Sequence, residues 1–452
     1  MPRNKQALFK RPFRTHGGAV VPHRKKTAEM ETVLMPPPEQ VVLSMQQHVG
    51  APCKAVVKAG DTVKVGQVVG DSDGYVTAPV HASVSGTVSK ITKLLLPGGN
   101  LVEAVVIDSD GLMTPHEDIR SPIVTDLEGL IHAARTSGLV GLGGAGFPAH
   151  VKLKIPEGKT VDTLIVNAAE CEPYLTADYR EIMENSESLM SGIMAISELL
   201  KLERVLVAIE DNKPKAIELI RSLCDSTNDP EGRVQVMTLR SQYPQGAEKV
   251  LIQACTGRRV PKGKLPSEVG CLVMNVASVS FLAQYLKTGM PLISKRITVD
   301  GSAIAEPKNV TVPIGTPISK VVEFAGGYNG QPKKLLMGGP MMGYAIVDDE
   351  MPILKQNNGI LALAERDAVL PEPTNCIRCG RCVASCPMSL MPTLIERQAK
   401  IGAVPELERL SVVTCMECGC CAYACPAGRQ LVQSMRLGKT VLRDHEQKAK
   451  EA

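Results

Sequence analysis

Tryptophan is absent from these 452 residues, and aromatic side chains make up only 3% of them. The 44% hydrophobic content is therefore almost entirely aliphatic, and it suits ordinary globular cores. No apolar run approaches the roughly 18 residues needed to cross a bilayer. The N-terminus also lacks the hydrophobic core of a secretion signal. Charge of one sign is scarce too. The net charge of +4 is too small to argue for a nucleic-acid partner. One local imbalance remains, because residues 1–28 hold eight Lys or Arg and no acid. This stretch reads either as a solvated basic arm or as a surface that docks onto a membrane protein or the anionic cytoplasmic leaflet.

Cysteine is present in quantity, and it is concentrated. Nine of the 14 cysteines lie between Cys376 and Cys425. Eight of these form two matching runs, Cys376-x2-Cys379-x2-Cys382-x3-Cys386-Pro387 and Cys415-x2-Cys418-x2-Cys421-x3-Cys425-Pro426. This is the spacing of a two-cluster bacterial ferredoxin, in which the fourth cysteine of each run ligates the other cluster. Cys376, Cys379, Cys382 and Cys425 are thus assigned to one [4Fe–4S] centre. Cys415, Cys418, Cys421 and Cys386 are assigned to the other. Zinc sites use two separated pairs of ligands rather than three cysteines in a row plus Cys-Pro. Disulfides would need an oxidising compartment. Cys420 is off the register and reads as a thiol beside a cluster. The scattered Cys53, Cys171, Cys224, Cys255 and Cys271 read as small buried hydrophobes of a protein in a reducing cytoplasm.

The length allows roughly three or four domains at about 100–200 residues each. A basic arm (1–38) ends in the stiff run Met35-Pro36-Pro37-Pro38. Residues 39–112 alternate valines with polar residues between glycine turns, as short strands do. They resemble the barrel-sandwich hybrid of biotinyl and lipoyl domains. The comparable tip, "HASVSG", has no lysine, so a swinging arm is not expected and a structural or docking module is. Residues 120–290 alternate helical and strand patterns, which predicts a mostly parallel sheet covered on both faces. Residues 291–350 read as a small β-grasp-like unit. Pro371 and Pro373 then lead into the cysteine domain (366–432), followed by a tail (433–452). The fold class expected is a multidomain chain, α/β plus β, with a small α domain of ferredoxin type.

Gly141-Leu142-Gly143-Gly144-Ala145-Gly146-Phe147-Pro148 satisfies GxGxxG. The dinucleotide fingerprint, however, needs a strand before the loop and a helix after it. Here "DLEGLIHAARTSG" reads as a helix, and the loop runs into Phe-Pro. A Rossmann site is therefore not expected. The glycines still expose backbone N–H groups and allow a flat or phosphorylated ligand to come close. Asn167 lies at the end of the strand "TLIVNA", where parallel sheets place ligand-binding residues.

"GLGGAGFPAHVK" resembles the glycine loop in the flavin subunit of respiratory complex I, and "NAAECEP", "YPQGAEK" and "MNVAS" follow in that superfamily's order. With the hybrid domain, the β-grasp (SLBB) unit and the double cluster motif, the architecture is similar to the RnfC family of the Rnf electron-transport complex. The resemblance implies that Gly141, Gly143, Gly144 and Gly146 line FMN and NADH, that Phe147 stacks on the adenine and that Lys152 meets flavin phosphate or ring oxygens. It further implies that Asn167 bonds the flavin ring or ribityl group, that Glu170 and Glu172 hold ribose hydroxyls or position the hydride donor, and that Glu248 is an acidic flavin-side residue. Asn275 would bond the flavin phosphate. Cys171 departs from the serine common in the complex I flavin protein. Gly17, Gly18, Pro22 and His23 stand in altered order relative to the Gly-Gly-x-His-Pro element often seen in RnfC chains.

The activity implied is NADH oxidation at non-covalent FMN, with electrons relayed singly through two [4Fe–4S] clusters to other subunits of a membrane-bound complex. Ferredoxin is reached indirectly, and ion translocation belongs to those other subunits. The chain itself would lie peripherally on the cytoplasmic face of the cell membrane. Two rivals are a soluble cobalamin-reductase-like flavin/iron–sulfur enzyme, and a non-catalytic wiring subunit whose α/β domain is only a scaffold. Residues 30–110 favour the Rnf architecture over the first, and flavin content separates the second.

Overall fold

In a computed structural model of the chain, the structure describes residues 11–451 except 227–228 and 230–231. At its centre are four parallel strands in the order Val234–Leu239, Arg204–Glu210, Thr163–Ala168 and Cys271–Asn275. Each strand is followed by a helix: Ala177–Leu199 after the first in sequence, Pro214–Ser226 after the second, Glu248–Thr256 after the third, and Val276–Thr288 after the fourth. Alternate side chains point to opposite faces, as the strand period requires. Leu164, Val166, Val205, Val207 and Met274 join one core, while Ile165, Leu206, Ala208 and Val273 join another. The sheet is thus buried on both sides, which explains its near-continuous Val, Ile and Leu runs. Helix Ala177–Leu199 starts well ahead of its apolar stretch Leu189–Leu199, and it bends at Asn185 (φ −129°). Its early start follows from Glu170, whose carboxylate caps the first turn by accepting from Asp178 N at 2.8 Å.

Because the strand Cys271–Asn275 returns to the near side of the first strand, the order reverses between Thr163–Ala168 and Cys271–Asn275. Open parallel sheets bind ligands in the crevice outside the strand ends at such a reversal. The glycine loop is delivered there by helix Leu127–Thr136, which Asp126 caps through Gly129 N (2.8 Å). A short helix, Ala149–Leu153, does follow the loop directly after Pro148, contrary to the expectation from Phe-Pro. Proline at the junction interrupts neither element, since its missing N–H falls where a helix start has no partner to lose.

The hybrid domain has a four-stranded sheet (Gln40–Ser44, Leu101–Ser109, Gly86–Leu95, Thr62–Val63) and a three-stranded one (Lys54–Ala55, Val68–Asp71, Val80–His81). Its "HASVSG" tip is buried, and Ser83 Oγ donates to the carbonyl of Ile314 in the next β unit. The tip is an internal docking surface. Lys355 completes the junction, since its buried Nζ donates to the carbonyls of Pro79 (2.6 Å) and Gly138 (2.7 Å). Burial pulls this amine down to about 7.

The β-grasp-like sheet reaches beyond residues 291–350. Gly359–Leu363 pairs with both Ser294–Asp300 and Lys334–Met337, and Val33–Leu34 adds a parallel edge beside Lys308–Pro313. The described part of the basic arm is not a free solvated segment. Lys25 Nζ donates to the carbonyls of Glu170 (2.8 Å) and Glu172 (2.7 Å), and Lys26 pairs with buried Asp300 at 3.0 Å. Buried Thr27 is bonded to Thr176 and Asn309. Residues 1–10, which carry part of the basic run, lie outside the described residues.

In the cysteine domain, helix Leu431–Glu451 packs on Pro392–Lys400 around Ile395, Ala399, Leu407, Met435 and Leu442. The 433–452 stretch therefore contributes Met435 and Leu442 to this core.

Candidate functional site: a glycine loop at the sheet reversal and two thiol sets

The glycine loop closes on itself. Gly141 N donates to Phe147 O at 2.8 Å, and Gly146 N donates to Gly141 O at 3.2 Å. Gly144 (φ +110°) and Gly146 (φ +64°) adopt backbone that L side chains avoid. A Cβ on Gly143 would lie 3.0 Å from Asn275 Nδ2, so this glycine presses the loop onto the strand end. Gly143, Gly144 and Ala145 are exposed, and nothing lies within 4 Å of where a Gly144 Cβ would be. The loop thus offers open backbone over the sheet reversal, which suits a flat, phosphorylated cofactor.

Buried polar groups hold the loop from beneath. Ser278 Oγ accepts from Leu142 N at 2.9 Å, and Lys295 Nζ donates to Leu142 O at 3.0 Å. Asp178 accepts from Asn275 Nδ2 at 2.7 Å. Burial, with the Glu170 charge nearby, pushes Asp178 up to about 7, while burial pulls Lys295 down to about 8. Sequence reasoning gave no role to Asp178, Lys295 or Ser278, although Ser278 ends the "MNVAS" segment. They come from three separate elements, and no spacing links them.

Several expected site residues do converge. Lys152 Nζ sits 2.9 Å from Glu248 Oε2 and 3.2 Å from the carbonyl of Val273. Asn167 Nδ2 donates to Gly246 O at 2.8 Å, fixing the "YPQGAEK" segment to the strand end. Asn275 caps helix Val276–Thr288 by accepting from Ala277 N at 3.0 Å. Glu170 is committed to its helix cap and is 7% exposed, so it holds a wall of the site and does not reach into the crevice. Phe147 is half-buried, with its carbonyl closing the loop.

Glu172 is half-buried and faces the β-grasp-like unit. It accepts from Met341 N at 3.1 Å, and burial pushes it up to about 7. Neighbouring Cys171 is pushed up to about 12 by burial, as fits an inert thiol.

The two cysteine runs fold alike. Arg378 and Glu417 have φ of 56° and 59°, and Gly380 and Gly419 have φ of 75° and 82°. Each run turns its third residue's N–H onto the first thiol, Arg378 N to Cys376 Sγ and Glu417 N to Cys415 Sγ, both at 3.4 Å. Cys386, Cys415, Cys418 and Cys421 line one cavity, together with Cys420. Cys425 lies within electrostatic reach of Cys382, and Arg429 within reach of both Cys376 and Cys425. Cys386, the fourth cysteine of the first run, thus lies with the first three of the second. Among the described residues no three His, Cys, Asp or Glu side chains converge closely enough for a single ion. Cys420 is fully buried and lines the same cavity, with its Sγ 3.8 Å from Tyr243 O.

Four family descriptions match between residues 13 and 426: RnfC barrel sandwich hybrid domain over residues 13–112, Nuo51 FMN-binding domain over 134–284, SLBB domain over 296–345 and 4Fe-4S dicluster domain over 368–426. One component of the proton-translocating ferredoxin:NAD(+) oxidoreductase complex of Clostridium ljungdahlii is 44% identical over 82% of this chain and 81% of its own length. Its counterpart in the Na(+)-translocating complex of Acetobacterium woodii is 42% identical over 94% of this chain and 96% of its own. The corresponding component of the ion-translocating oxidoreductase complex of Rhodobacter capsulatus is 37% identical over 94% and 82%. Among solved structures, NAD+-reducing [NiFe]-hydrogenase in the H2-reduced state aligns with 70% of this chain and 63% of that chain, at 19% identity and a TM-score of 0.47. The chain belongs to the RnfC family.

Proposed function

We propose that this chain oxidises NADH at bound FMN and relays the electrons through two [4Fe–4S] centres to other subunits of an ion-translocating ferredoxin:NAD oxidoreductase complex. The observation that carries this reading is the placement of the glycine loop at the sheet reversal, with both cysteine runs folded as a dicluster domain on the same chain. FMN supplies the conversion between a two-electron donor and one-electron carriers.

The protein's own part is positional. The backbone of Gly141, Gly143, Gly144 and Gly146 forms the cradle, with Phe147 beside the nucleotide. Lys152 and Glu248 set the charge on the flavin side. Asn167, Glu170 and Asn275 hold the walls through Gly246, the helix start at Asp178 and the helix start at Ala277. Cys376, Cys379, Cys382 and Cys425 hold one cluster, and Cys415, Cys418, Cys421 and Cys386 hold the other. Among the described residues no helix is long and apolar enough to cross a membrane. On this reading the chain sits peripherally on the cytoplasmic face, where NADH is supplied. The hybrid domain over residues 13–112 argues against a soluble cobalamin-reductase-like enzyme. The intact loop argues against a purely wiring role.

Anaerobic purification with flavin and iron quantified, followed by NADH titration, tests the reading. It expects one FMN and about eight iron atoms per chain, with flavin bleaching on NADH addition. A reconstituted chain that binds no flavin and shows no response to NADH would sink it.

A further inference from the structure

The two thiol sets share a backbone pattern but not their surroundings. Gly380 and Gly419 hold equivalent places in the two runs. Nothing lies within 4 Å of a Cβ built on Gly380, whereas one built on Gly419 would meet Met341 O at 3.1 Å. Residues 371–381 are exposed throughout, including Cys376 and Cys379, and Ile377 between them is 68% exposed. In the first set Cys382 alone is buried, whereas in the second both Cys386 and Cys418 are.

Cys386 is buried in the cysteine domain's own core, whereas Cys418 packs against Tyr243 on the rim of the glycine-loop site. Tyr243 Oη donates to Cys418 O at 2.7 Å. Tyr243 belongs to the segment that ends in Gly246 and Glu248, and Asn167 fastens this segment to the strand end at 2.8 Å. Gly17 and Gly18 of the arm pass between the two domains. Gly18 N donates to Ser385 O at 2.9 Å, and Ala19 N donates to Tyr243 O at 2.7 Å. Both glycines have positive φ. A Cβ on Gly17 would stand 2.7 Å from the carbonyl carbon of Cys386, and one on Gly18 would stand 2.4 Å from Gln242 Nε2. The Cys386/Cys415/Cys418/Cys421 set is therefore clamped from three directions against the segment that carries Glu248.

We propose that the Cys386/Cys415/Cys418/Cys421 cluster is where electrons enter the cysteine domain, and that the Cys376/Cys379/Cys382/Cys425 cluster is where they leave for a redox partner. The proposal rests on reading the Gly141–Phe147 loop as the flavin site. Tunnelling falls steeply with distance, so the cluster packed on the rim of that site takes the electron first. Each passage moves one electron. The entry cluster is reduced by one and reoxidised as the exit cluster is reduced by one. Two passages clear the pair delivered by NADH, and no bond forms or breaks at either cluster. Tyr243 acts here as a positioning residue through Cys418.

Partial iron removal from the wild-type chain tests this without any substitution. An anaerobic ferrous chelator is expected to strip the exposed site first, leaving about half the iron. The surviving cluster is then expected to give its reduced EPR signal with NADH. A survivor reduced by dithionite but not by NADH would overturn the proposal. In the variant pair, the cluster left in Cys379→Ala is expected to remain reducible by NADH. The cluster left in Cys418→Ala is expected to respond to dithionite alone, and the reverse pattern overturns the order. Tyr243→Phe removes one hydroxyl and is expected to shift the EPR signal of the NADH-connected cluster only. A shift confined to the other cluster also overturns it. A chain that retains no flavin would overturn the functional reading itself, and flavin content reports that separately from cluster order.

Discussion

Between Cys376 and Cys425 every thiol of both sets comes from one short stretch, and matched φ values at Arg378 and Glu417 give the two runs one local shape. Around the Gly141–Phe147 loop the supports come from far apart. Ser278 holds Leu142, Asn275 abuts Gly143, Asp178 anchors Asn275, and Lys295 arrives from the β-grasp-like sheet. The first region is specified by neighbours in the chain, and the second by packing of whole domains. Damage in the first should therefore stay local, whereas damage in the second should spread to cofactor affinity.

The strongest test of that contrast is Cys421→Ala. It is expected to remove about half the iron while flavin content and NADH bleaching persist. Parallel loss of flavin, measured by absorbance after gel filtration, would show that the regions are not separable. Next comes Gly143→Val, whose side chain would press on Asn275, 3.0 Å from the Cβ position. Overpacking of this kind costs about 1–3 kcal/mol, equivalent to roughly 5–150-fold weaker flavin binding, with iron unchanged. Equilibrium dialysis with FMN reads that ratio. Lys152→Met should sharpen the role of the Lys152–Glu248 pair. This pair is half-exposed, so its loss should cost under about 1 kcal/mol of stability. Flavin affinity is nevertheless expected to fall about tenfold, the ~1.4 kcal/mol of a charge-assisted contact. A melting-temperature loss with unchanged affinity would make the pair structural.

A pH-dependent effect concerns His81, at the junction of the hybrid domain with Lys355. Burial, and then the Lys355 charge, hold its imidazole down to about 3, from an ordinary value of 6.5. The folded state thus binds a proton less readily than the unfolded state. Stability is complete above pH 6.5 and is lost as pH falls toward 3. Between pH 6.5 and 5 this amounts to about 2 kcal/mol. His48, held down to about 4 mainly by burial, adds to the slope. His81→Gln is expected to flatten the fall of melting temperature over this range, and an unchanged slope would discount the junction as its source.

The cysteine spacing, the glycine loop and the alternation of strands with helices were legible in the chain because each is a short-range pattern. The cofactors they imply, FMN and [4Fe–4S], agree with the family descriptions over residues 134–284 and 368–426. Glu172 shows where such reading stops. A carboxylate in "NAAECEP" carries no sign that Met341, from another domain, will bury it. The basic arm shows the same limit. Lys25 looks like a solvated charge until three backbone carbonyls, Glu170, Glu172 and Leu175, surround its amine.

By itself the sequence determined the inventory: eight cysteines in two matching runs, a loop of four glycines, and a parallel sheet to carry it. Those features depend on residue type and spacing within a few turns of chain, where covalent connection limits the alternatives. Only the tertiary structure decided their relations. It set the reversal between Thr163–Ala168 and Cys271–Asn275, the polar platform under Leu142, and the clamp of Gly17 and Gly18 that presses one thiol set toward the glycine-loop site and leaves the other open. Those relations depend on which surfaces bury one another across more than a hundred residues, and no local pattern encodes that choice.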